Sequence, residues 1–81
     1  MNQMQNEHWE NHWQHPKYRR LSMEQAMEIA RGRVPGEVVE AELEYKDSGL
    51  IFEIDIRTNE GMKYEVHVDA VSGQIIKVKQ D

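Results

Sequence analysis

Three histidines stand at spacings of four and three in His8-Trp9-Glu10-Asn11-His12-Trp13-Gln14-His15, and on a helix such spacings share one face. Neutral imidazoles so placed are ligands for zinc, nickel or copper, which makes His8, His12 and His15 a candidate metal set. The same segment carries Trp9 and Trp13, also four apart. Read without a ligand, it is a polar tail whose indoles dock on an apolar surface or on a second copy. A second group is made of carboxylates. Glu40, Glu42 and Glu44 recur at every second position, as do Glu53 and Asp55, and Glu65 follows in a third alternating segment. Two readings stand side by side for these six. One is a solvated face that discourages aggregation; the other is a binding surface for a basic protein or for calcium, although flat strands lack the encircling loop calcium needs.

Nothing else in the chain has the makings of catalysis. There is no cysteine, and the serines lack the neighbouring histidine and acid that activate a nucleophile. Gly32, Gly36, Gly49, Gly61 and Gly73 fall at helix ends and turns, so none builds a phosphate-cradling loop. The expectation is no enzyme and no cofactor.

The elements that must position these residues follow from hydrophobic period. Ser22 with Gln25 fits a capping box at a helix start. Met23, Ala26, Met27, Ala30 and Val34 then recur at threes and fours, which predicts a helix to about Arg33, stopped by Pro35-Gly36. From Val38 the period changes to two. Val39, Ala41, Leu43 and Tyr45 oppose Glu40, Glu42 and Glu44, and after the turn cluster Lys46-Asp47-Ser48-Gly49, Phe52, Ile54 and Ile56 alternate with Glu53, Asp55 and Arg57. Asn59-Glu60-Gly61 reverses the chain and sets Tyr64, Val66 and Val68 on the face of Ile56, Ile54 and Phe52. Past the turn at Asp69 to Gly73, Ile76 and Val78 are expected inward, with Lys77 and Lys79 outward. Short turns require antiparallel neighbours. The predicted architecture is α+β: one N-terminal helix packed on a four-stranded antiparallel meander, preceded by a polar tail over residues 1–20 and occupying residues 21–81. These registers set Glu42 against Glu53, Glu40 against Asp55, and Asp55 near Glu65, with His67 beside Glu53.

Composition narrows the function classes. The chain has 81 residues, 31% of them charged, and a net charge of −5. An acidic surface without a Lys/Arg stripe repels phosphates, so nucleic acid is not an expected partner. No stretch is apolar enough to enter a bilayer. With no secretory signal visible, the chain as written reads as cytoplasmic, and as extracytoplasmic if it is part of a longer precursor.

Ser22-Met23-Glu24-Gln25-Ala26-Met27-Glu28-Ile29-Ala30 resembles the helix motif of PepSY domains. Phe52-Glu53-Ile54 and the run from Tyr64 to Gly73 resemble their paired strands and terminal turn. The likeness covers roughly residues 20–80. It implies the helix-on-meander fold and a regulatory role, the binding and restraining of a peptidase among its forms, with no catalytic residues to carry over. The partner it implies is therefore a protein. A structural, homodimerising module without a peptidase partner is the alternative.

Overall fold

The computed structural model describes residues 20–81; His8, His12 and His15 lie outside them. Helix α1 (Met23–Arg33) begins at Ser22, whose hydroxyl accepts from the Gln25 amide while the Gln25 side chain accepts from the Ser22 amide. Its end is set by Pro35, which drives the preceding Val34 out of the helical region, to φ −127° and ψ 94°. The predicted stripe holds throughout. Ala26, Ala30 and Val34 are buried, and Met23 and Met27 pack beside them. Ile29, outside that stripe, joins the same cluster.

Four strands follow, β1 (Glu37–Lys46), β2 (Gly49–Arg57), β3 (Lys63–Asp69) and β4 (Ile75–Gln80), in the sheet order β1-β2-β3-β4 with every pair antiparallel. The protein is thus α+β, one helix on a four-stranded meander. Each reversal is local. Thr58 and Met62 bracket a turn closed by Gly61 at φ +86°. The Asp69 carboxylate accepts from the Val71 and Ser72 amides, which fixes the turn into β4 and holds that carboxyl below the usual range. Leu21 donates its amide to the Ala70 carbonyl at 2.8 Å, tying the start of the domain to that turn.

The core lies between α1 and one sheet face, where Phe52, Ile54, Ile56, Val66 and Val68 are nearly or wholly excluded from solvent. Gly36 is a point of close approach. A Cβ there would lie 2.8 Å from Ile56 Cγ2 and press on the Arg57 carbonyl.

Two expectations about facing are corrected, both at edge strands. The β1–β2 register slips between Val38 and Glu40, so Val38 stands opposite Ile56 and packs on the core, while Val39 is exposed. The β3–β4 register slips between His67 and Val68, which sets Ile75 opposite Val68 and against the core and leaves Ile76 exposed. A bulge adds one unpaired residue, and strict alternation cannot carry across it.

Candidate functional site

Beyond the bulge β1 keeps its alternation, and β2 and β3 have no interruption where they pair. All six predicted carboxylates therefore fall on the face away from α1. Glu40 stands opposite Asp55, Glu42 opposite Glu53, and Asp55 opposite Glu65, as the alternation predicts. Glu40, Glu42, Glu53, Asp55 and Glu65 line one shallow cleft of about 160 Å³. Glu44 lies beyond it, against Lys46.

Like charges directly opposed destabilise a sheet unless something intervenes. Here Lys46 reaches across, its Nζ 2.7 Å from Glu53 and 3.3 Å from Glu44, and Lys63 lies 4.0 Å from Asp55. His67 is buried and places Nε2 2.6 Å from Glu65 and 3.9 Å from Glu53. Among the described residues, Glu40 and Glu42 form no ion pair.

The protonation pattern follows. Glu42 titrates above the usual carboxylate value, chiefly through its hydrogen bond with Glu44 and then through the charges of Glu40 and Glu44. Glu44 is lowered by that same bond and by Lys46, so the two titrate as a coupled pair in which Glu42 takes up its proton first as pH falls. Burial raises Asp55, Lys63 opposes this, and the charges of Glu65 and Glu40 add to it. Glu65 is lowered, first by its hydrogen bond with His67.

Glu53, Glu65 and His67 bring one ligand atom each within 4.8 Å of one another, as do Glu42, Glu44 and Glu53. Two carboxylates and an imidazole are ligands for a first-row divalent metal. Lys46 and the close contact between His67 and Glu65 occupy those positions, so a metal would have to displace both.

The sequence pattern did not reveal that the open face has an apolar end. Ile51, only 2% exposed, lies on it between Glu44 and Asp69, and with Ser48, His67, Ile76, Lys46 and Lys77 it lines an open groove of about 430 Å³. The available signal was the unbroken run Leu50-Ile51-Phe52 and the doublet Ile75-Ile76, where alternation fails. The face also changes sign. Lys77 and Lys79 of β4 stand opposite His67 and Glu65, so carboxylates dominate at β1 and ammonium groups at β4.

The candidate site is thus an acidic open face on a helix-backed meander, and the sequence comparison gives the class of the domain that carries it. The chain matches the model of the PepSY family, "Peptidase propeptide and YPEB domain", over residues 20–79, and belongs to that family. Membership makes it a domain of the regulatory or propeptide-like kind. A relative from Bacillus subtilis (strain 168), named "Uncharacterized protein YkoJ", is 36% identical over 61 residues, which are 75% of this chain and 36% of that protein. The chain thus spans little more than a third of that relative's length. No solved structure matches it. Among the described residues no helix is long and apolar enough to cross a membrane.

Proposed function

We propose that this domain is a non-catalytic binding module of PepSY type that holds a protein partner, a peptidase in the first instance, through the open acidic face of its sheet. The observation that carries this reading is the set of directly opposed carboxylates, Glu40 with Asp55, Glu42 with Glu53 and Asp55 with Glu65. Such pairs lower stability where, among the described residues, no cation intervenes, as at Glu40 and Glu42. A cationic surface laid over them turns that repulsion into attraction and steers the encounter. Family membership supports a regulatory module and a protein as the partner.

The test is affinity capture from native lysate with the wild-type chain and with a Glu40→Lys/Glu42→Lys/Asp55→Lys variant. The expected result is a retained peptidase, or another single protein, that is lost with the variant and released as ionic strength rises. Equal retention by both chains, insensitive to salt, would refute the reading.

A further inference from the structure

The two edges of the sheet are unlike. β4 is short, bulged, and carries Lys77 and Lys79, all devices that blunt an edge against pairing. β1 is longer, and past its bulge it runs in unbroken register from Glu40 to Lys46 without proline. Among the described residues no strand pairs with its outer side. Along this run the two faces alternate strictly, Glu40, Glu42 and Glu44 on the open face and Ala41, Leu43 and Tyr45 on the helix side.

The helix does not cover that second row to its end. An 11-residue helix is ~16 Å long, whereas the 10 residues of β1 span ~33 Å. Leu43 is accordingly 36% and Tyr45 84% exposed, although both lie on the core side of the sheet. The β1 edge therefore offers three things at once: unpaired backbone groups, carboxylates at alternate positions, and uncovered apolar side chains at the positions between. A second β1 is a poor occupant, because pairing two such strands brings glutamates against glutamates.

We propose that the β1 edge receives an extended segment of the partner as an added fifth strand, in which Lys or Arg at alternate positions meets Glu40, Glu42 and Glu44 and the intervening apolar residues cover Leu43 and Tyr45. This rests on the protein-binding reading above and names the edge and the chemistry of the partner. Main-chain pairing supplies affinity, and the two-residue period supplies selectivity: a segment shifted by one residue presents its cations to Tyr45 and its aliphatics to the carboxylates.

The test uses the full chain and acetylated, amidated octapeptides of Lys and Val with a fluorescent label, read by anisotropy and by amide chemical shifts. One peptide alternates the two residues, and one has the same composition in two blocks. Two further peptides alternate but are N-methylated at odd or at even positions. The alternating peptide is expected to bind at least about tenfold more tightly than the block peptide. Its shifts should centre on Glu40 to Lys46, and one of the two N-methylated peptides should lose binding. Glu42→Lys/Glu44→Lys should abolish binding, and Tyr45→Glu should weaken it. Equal affinity for alternating and block peptides, indifference to both methylation patterns, or shifts centred on β4 would overturn the proposal. So would a concentration-dependent oligomer of the free chain, with shifts in both β1 and β4, that the peptide dissolves, because the edge would then belong to a second copy. If these peptide results go against the edge while the lysate capture still depends on Glu40, Glu42 and Asp55, the edge proposal alone fails; if the capture is insensitive to those residues, the protein-binding reading fails with it.

Discussion

Gly36 and Asp55 show how single residues position the open face and what it costs. At Gly36 the chain entering β1 passes so close to β2 that any Cβ meets the Arg57 carbonyl and Ile56. Backbone cannot step aside as a side-chain end can. Gly36→Ala should destabilise by about 1–3 kcal/mol, as overpacking does. Gly32, in the last turn of α1, is the control, because a Cβ added there would meet nothing within 4 Å. Gly32→Ala should be stabilising by about 0.5–1 kcal/mol, since alanine is the better helix former. Urea unfolding of both variants checks the pair. Asp55 tests the electrostatics. Burial and like charges raise its pKa, so the folded state binds that proton more tightly than the unfolded one. Its ionised form therefore lowers stability, fully at pH above the raised value and not at all well below the unfolded value near ~3.9. Asp55→Asn should be the more stable protein at pH 7 by a few tenths to about 1 kcal/mol, the size of one cross-strand like-charge pair, and the gain should fade as unfolding is repeated toward pH 3. A variant less stable than wild type at pH 7 would mean that the Lys63 contact outweighs the repulsion.

The strands show how far the pattern of residues can be read and where it stops. Period two placed Glu40, Glu42, Glu44, Glu53, Asp55 and Glu65 on one face and set Glu42 opposite Glu53, Glu40 opposite Asp55 and Asp55 opposite Glu65, because β2 and β3 alternate through their paired stretches and the Asn59-Glu60-Gly61 turn pairs Thr58 with Met62. It erred at Val39 and Ile76, each the second of two adjacent β-branched residues. Either member of such a doublet satisfies the alternation, and only the bulge decides which one faces α1. The groove floored by Ile51 is hidden for a related reason: alternation puts this middle member of Leu50-Ile51-Phe52 on the open face, but what shields it there is set only when the neighbouring strands are in place. The edge doublets make a clear prediction. Val38→Asp and Ile75→Asp place a charge against the core and should each cost at least about 1 kcal/mol more than Val39→Asp and Ile76→Asp, measured by thermal or urea unfolding. Equal losses within either doublet would mean that the bulge is absent there.

Among the described residues, a single helix and a single sheet share one core, and each buries its apolar side against the other. Ala26 and Ala30 are fully excluded from solvent, and they let α1 sit close over Ile54, Val66 and Val68. A chain beginning at Gly36 should thus show no cooperative unfolding transition and no dispersed amide spectrum, because a meander with one uncovered apolar face lacks independent stability. The opposite face and the β1 edge carry no such duty, and no described residue covers them. Amide hydrogen exchange of the full chain at neutral pH, read residue by residue, tests this division most directly. Amides of α1, β2 and β3 should exchange at one common slow rate set by global unfolding, while those from Ala41 to Lys46 should alternate between slow and fast, since every second N–H of an edge strand has no partner strand. Uniform protection along β1 at the level of β2, or a helix that exchanges independently of the sheet, would contradict it.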